Sequence, residues 1–279
     1  MVKKIIKEHP LIVFFVLAYG LSWIFEFPAV LFPAWPGWLS FLEGFGPASA
    51  ALIVVGFITG KEGIQQLLAP IVKWRVEIQW YLVVLLGPSL MMICSIYLYR
   101  LLGKGSGIPD SLQILPLMGN YFLALIIIFI YQLIIVWGEE IGWRGFALPK
   151  LQMKYHPIIA SLILGVLWGL WHLPLFWIEG SAQQNMSILF FMVASVGYSI
   201  LYTWIYNGTK GNLLMICIFH AANNTTVSFT MLFFKPILEE PLFSLAVLGL
   251  FNLAVIAIAG PKLLWKNLKT ASSQTDHSL

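Results

Sequence analysis

Residues 118–150 read MGNYFLALIIIFIYQLIIVWGEEIGWRGFALPK, and this stretch decides the fold class. From Met118 to Trp137 there is no charged residue, a length close to the roughly 20 apolar residues a helix needs to cross the hydrocarbon core of a bilayer. Backbone at that depth finds no water, so a run of this kind must be helical. Seven further runs of the same character, at residues 11–32, 41–59, 80–102, 158–178, 188–206, 213–234 and 242–261, predict about eight spans together with 118–137. The first exceeds a signal-peptide core and is followed by no small-residue cleavage site, so it reads as an anchor.

Composition agrees. Of 279 residues 59% are hydrophobic and only 10% charged, with mean hydropathy +0.86, whereas a soluble domain carries roughly 25% charged residues. The expectation is an all-α integral membrane protein with an intramembrane polar cavity. One polytopic domain would fill residues 1–270, followed by an unstructured polar tail at 271–279. The net charge is +4, yet the 16 Lys and Arg are scattered between apolar runs rather than gathered into a basic, aromatic-laced patch, which excludes a nucleic-acid binder. Cys94 and Cys217 sit inside apolar runs and read as small hydrophobes, not as a disulfide.

Eight spans place both termini on one side, and the loop charges choose that side. With the termini lie Lys3, Lys4, Lys7, Lys61, Lys73, Arg75, Arg144, Lys150, Lys154, Lys210, Lys262, Lys266 and Lys269, against Arg100, Lys104 and Lys235 opposite. Both termini are therefore expected in the cytoplasm. Residues 61–79 are too polar to span but carry Ile64, Leu67, Leu68, Ile71 and Val72 at near-helical spacing, as a helix along the inner surface would.

In so apolar a chain the informative residues are ionisable groups where lipid should be, each costly unless paired or hydrated. Glu139 and Glu140 follow the apolar run directly, and the sparse polar positions up to Lys150 predict that the helix continues past them. Glu140 and Arg144, four residues apart, share a helical face and can pair. Glu139 lies about 100° around the helix without that partner, and a poorly solvated carboxylate is suited to act as a general base. His172 lies within a run, flanked by tryptophans and followed by Pro174; His220 and Asn224 share one face, an imidazole and an amide able to donate to a developing oxyanion. From a turn near Lys154, Glu139 and His172 lie about 22 and 27 Å along their helices, and from a turn near Thr209 His220 lies about 16 Å along its own. With the Lys154 turn projecting beyond the headgroups, all three can converge in a cavity opening to the cytoplasm. Glu26, near Pro28 in the first run, is left out of this site.

These residues resemble a known family. Glu139-Glu140 with Arg144 is similar to the EExxxR signature of the CPBP family of CAAX prenyl proteases and bacteriocin-processing relatives, and residues 144–151 continue it. Trp168 through His172 resembles the second motif, with Trp where Phe is common, and His220 through Asn224 the third, HxxxN; together they cover residues 138–224. The resemblance implies an endopeptidase acting on a lipidated or membrane-bound peptide; the short chain without added domains is expected in a prokaryotic cell membrane. Glu139 with His172 would activate water, Glu140 with Arg144 would shape the site, and His220 with Asn224 would stabilise the oxyanion. The family name also implies a metal, for which Glu139, His172 and His220 would be the ligands of a zinc ion, while metal-free glutamate catalysis fits the same residues and is slightly favoured. A non-catalytic scaffold or immunity protein of the same fold is the alternative; a transporter would show matching halves with broken helices, and none is visible.

Overall fold

A computed structural model describes residues 2–32, 34–104, 118–233, 237 and 239–263; the tail at 271–279, Lys235, Lys266 and Lys269 lie outside them. Helices make up nearly all of this, with no strand among the described residues. They are α1 (Val2–Glu8), α2 (Pro10–Leu31), α3 (Gly46–Leu68), α4 (Ile78–Leu101), α5 (Met118–Glu140), α6 (Leu148–Gln152), α7 (Pro157–Trp171), α8 (Ile188–Gly208), α9 (Leu213–Phe233) and α10 (Leu242–Ala259). Seven helical stretches among the described residues are long and apolar enough to cross a membrane, and large apolar side chains such as Ile12, Val16, Leu86, Phe122 and Ile258 point outward. The protein is an all-α, multi-pass integral membrane protein.

The eighth expected span, α9, does not reach that apolarity because His220, Asn223, Asn224 and a run of Thr and Ser occupy its second half. It lies instead inside the bundle, packed against α4, α5 and α8, with Met215, Ile216, Cys217 and Ala221 fully buried. Neighbouring helices shield its polar groups from lipid, which is how intramembrane polar residues are tolerated.

Three departures from regular helix shape the site. Chain 118–152 runs on past Glu140 as expected, but through a π-helical segment, Ile141–Ala147, in which the Leu148 amide bonds five residues back to the Trp143 carbonyl; such turns recur at functional sites. Gly138 and Gly142, one turn apart, bracket the glutamates and let the start of α3 approach: a Cβ on Gly138 would strike the Gly44 carbonyl, and one on Gly142 the backbone of Pro47. The third departure corrects an expectation. His172 is not inside a continuous helix: α7 ends at Trp171, His172 caps it, and a 3-10 segment, Leu173–Trp177, follows. Pro174 lacks the N–H that would continue the α ladder.

In the stretch after residue 59, Leu67 is buried and Ile64, Leu68 and Ile71 are half-buried, while Val72, expected on the same apolar face, is exposed. Gly60, at φ 68° and ψ −151°, kinks α3 in a conformation that favours glycine. Beyond it Gly63 and Leu67 are buried while Lys61, Glu62, Gln65 and Gln66 are exposed.

Candidate active site

Glu140 is the structural centre of the cluster. The α5–π junction holds it and Arg144 on adjacent turns, both without exposed surface. Arg144 Nη1 donates to Oε1 at 2.8 Å and Oε2 at 3.0 Å. His220, from α9, places Nδ1 2.8 Å from the same Oε1. Since a carboxylate only accepts, Nδ1 donates, and the ring is fixed with Nε2 facing away from Glu140. The Arg144 guanidinium lies 4.7 Å from the ring centre of Trp168 and 4.0 Å from that of Tyr202, and its Nε and Nη2 have no hydrogen-bond partner among the described residues. Two aromatic faces thus share the cation with Glu140. Removing either member of so buried a pair would leave an uncompensated charge.

Glu139, one position earlier, points elsewhere. Trp168 Nε1 donates to its Oε2 at 3.0 Å. One turn later, at the C-cap of α7, His172 Nδ1 lies 2.8 Å from the Trp168 carbonyl. A carbonyl cannot donate, so this nitrogen carries the proton and Nε2 of the neutral ring is left as an acceptor. One residue therefore orients both groups expected to hold the water, its indole N–H fixing Glu139 and its carbonyl fixing His172. Trp168 also meets the rings of His172 and His220 edge-on, at 5.4 and 5.5 Å between centroids. Trp171 and Phe191 wall the far side of His172. Glu139, Glu140, Arg144, His172 and His220 thus gather around Trp168, all with less than a tenth of their surface exposed.

Asn224 stands apart. It is half-buried one turn beyond His220, and its Nδ2 donates to Gln132 Oε1 at 3.2 Å. Gln132 lies two turns before Glu139 on α5, so Asn224 faces that helix rather than the Glu140 pair.

Glu26 occupies a place its sequence position did not suggest. It is fully buried on the Phe14, Ala18, Ser22 stripe of α2, and its side chain meets that of Glu43 in a carboxyl–carboxyl hydrogen bond, which needs one shared proton. Ser22, one turn away, donates to the Glu43 carbonyl at 2.6 Å. Glu26 interacts electrostatically with Glu43 and with Glu139, so a second pair of acidic groups borders the site. Tyr202, Gln132 and Glu43 were missed by sequence reasoning, and Trp168 was noted only as the aromatic of the second motif, with no role in the site. Gln132 had a signal, being an amide within an apolar run. Tyr202 had none.

Among the described residues no three His, Cys, Asp or Glu side chains come together as metal ligands would. His220 and His172 commit Nδ1 to Glu140 and to the Trp168 carbonyl and keep Nε2 uncommitted, so it is the spacing of the three groups, not the state of their nitrogens, that bears on a metal. The donor set Glu139, His172 and His220 does not fit a zinc centre, which needs three protein ligands at about 2.0–2.2 Å around one point.

Fold and site together define a polytopic membrane protein whose ionisable residues are gathered inside the bundle. Residues 121–226 match the family of type II CAAX prenyl endopeptidases described as Rce1-like. The chain is also 35% identical over 88 residues, 29% of its length, to the CAAX prenyl protease 2 of Methanococcus maripaludis, and the match spans 32% of that protein. Both findings support the CPBP resemblance carried by the three motifs, and the matched segment holds every residue of the Trp168 cluster.

Proposed function

We propose that this protein is an intramembrane endopeptidase of the CAAX type. It hydrolyses a peptide bond of a membrane-associated substrate, with a prenylated CAAX C-terminus as the leading candidate, and has its termini and site towards the cytoplasm. The observation that carries this reading is the double use of Trp168, which aims the free oxygen of Glu139 and Nε2 of His172 without engaging either.

Chemistry follows from those free atoms. A water held between Glu139 Oε1 and His172 Nε2 passes a proton to Glu139 as its oxygen attacks the scissile carbonyl. The carbonyl π electrons move to oxygen, and the oxyanion is met by Nε2 of His220, which donates there when the ring carries both protons, Nδ1–H being held by Glu140; Asn224, bonded to Gln132, would reach it only by turning from that partner. Collapse of the intermediate breaks the C–N bond, and the proton held by Glu139 goes to the departing nitrogen, leaving a new carboxylic acid and a free amine, between which the remaining proton equilibrates. Glu140 and Arg144 position His220 and touch no reacting atom. Every proton and electron pair in this route is handled by these side chains, without a metal.

An apolar cleft of about 600 Å³ between α4, α5 and α9 is lined by Leu85, Met92, Phe122, Phe129, Thr225 and Thr226. Thr225 lies five residues past His220, so a lipid chain lodged here would hold an attached peptide close to the cluster.

The test is mass spectrometry of products from matched farnesylated and unmodified CAAX peptides, with purified protein in lipid nanodiscs and Glu139→Ala as control. Release of the three residues after the modified cysteine, abolished in the control and unaffected by a membrane-permeant zinc chelator, is expected. Cleavage of neither peptide would overturn the assignment, and loss of activity on chelation would overturn its metal-free part.

A further inference from the structure

Away from the Trp168 cluster, two segments distant in sequence form a second cavity, of about 460 Å³. One is the link between the 3-10 segment Ala69–Val72 and α4; the other is the turn between α8 and α9. Lys73, Arg75 and Lys210 line it together with Trp74, Glu77 and Asn212. The two segments are joined: Asn212 Nδ2 donates to the Lys73 carbonyl at 2.6 Å, while Asn212 Oδ1 accepts from the Met215 amide at 3.1 Å at the start of α9. The Trp74 carbonyl accepts from Tyr81 at 2.5 Å, and the Arg75 guanidinium rests 5.2 Å from the Trp74 ring centre. Lys210 holds the left-handed conformation, φ 56°, at the tip of its turn.

Three cations thus converge, and none of them makes an ion pair with a carboxylate among the described residues. The one acidic liner, Glu77, accepts from Gln79 at 2.6 Å. Position identifies the ligand. The cavity lies at the end of the bundle where the apolar helix α8 ends at Gly208 and α4 begins at Ile78, beside the polar stretch after Gly60, and an apolar helix that crosses a bilayer ends near the lipid headgroups. Val72, Trp74 and Ile78, beside it, are 75%, 64% and 74% exposed, apolar surface that acyl chains would cover.

We propose that this cavity binds the headgroup phosphate of an anionic phospholipid. Lys73, Arg75 and Lys210 supply the charge, and Val72, Trp74 and Ile78 lie against the chains. Asn212 bonds the cavity wall and caps α9, so a bound lipid braces the base of the helix that carries His220. The site stands independently of the peptidase reading.

Native mass spectrometry of the purified protein titrated with phosphatidylglycerol or phosphatidylcholine tests it. Phosphatidylglycerol is expected to bind more tightly, and the Lys73→Gln, Arg75→Gln, Lys210→Gln variant to lose on the order of a hundredfold in that affinity. Lys61→Gln, which removes an exposed cation outside the cavity, is expected to leave it unchanged. The single variant Lys210→Gln, checked by circular dichroism, gives the same comparison if the triple variant does not fold. Equal binding of the two lipids, undiminished binding by the cavity variants, or an equal loss in Lys61→Gln would overturn the proposal. Displacement of the lipid by millimolar inorganic phosphate would overturn it too, by showing a site for the free anion.

Discussion

Trp168→Phe separates the two tasks assigned to Trp168. The substitution removes the indole N–H that reaches Glu139 Oε2 at 3.0 Å but keeps the backbone carbonyl that receives His172 Nδ1. It also keeps an aromatic face beneath Arg144, whose cation–π contact with Phe is weaker by a fraction of the roughly 0.5–2 kcal/mol such contacts supply, and the Tyr202 face at 4.0 Å is untouched. The main loss is one buried hydrogen bond to a charged acceptor, about 1.5–3 kcal/mol. If that bond aims the catalytic carboxylate, the loss appears in the barrier, and kcat falls about 10- to 150-fold. KM changes little, because the bond touches no substrate. The assay is steady-state cleavage of a fluorogenic membrane peptide well below the melting temperature, with thermal unfolding measured alongside. A kcat within twofold of the parent, in a protein that stays folded, would refute the orienting role of Trp168.

Three further outcomes follow from the same geometry. Arg144→Met leaves Glu140 buried with His220 alone and costs about 3–5 kcal/mol of stability, whereas the double variant Glu140→Gln, Arg144→Met recovers much of it; equal melting temperatures for the two would contradict the pairing. Gly142→Ala forces a Cβ into the backbone of Pro47 and is expected to lower Tm by several degrees, while Gly20→Ala, at a position with open space around it, does not. Glu26→Leu removes the buried carboxyl–carboxyl bond to Glu43 and is expected to cost about 1–3 kcal/mol, read as a fall in Tm; an unchanged or raised Tm would show that this bond contributes nothing to the fold.

How much of this could be read from the sequence depended on the kind of signal each residue left. Spans were visible because lipid imposes one composition on every helix that faces it, and α9 departed from that composition because it faces protein instead. The Glu140–Arg144 pair was readable from a spacing of four, since both partners lie on one helix. Contacts between helices were not: the bond from His220 to Glu140 joins residues 80 apart in sequence, and the Trp168 indole reaches Glu139 across 29. Depth arithmetic brought these residues to one level, but rotation about each helix axis decides which atoms meet, and that is set by packing. The π-segment is such a rotation, and nothing in residues 141–147 announces it. Glu26 was set aside because its position in the run placed it near an interface; its burial depends on the 3-10 segment Gly37–Phe45, which folds over it and carries Glu43.

The central claim is that Glu139 activates the attacking water, and the direct measurement is kcat of the purified Glu139→Gln variant beside the parent in the same lipid nanodiscs. Gln keeps the shape and can still accept from Trp168, but it cannot take a proton. A fall of about 10²- to 10⁴-fold with unchanged Tm and substrate binding is predicted. Cleavage within tenfold of the parent would contradict the account.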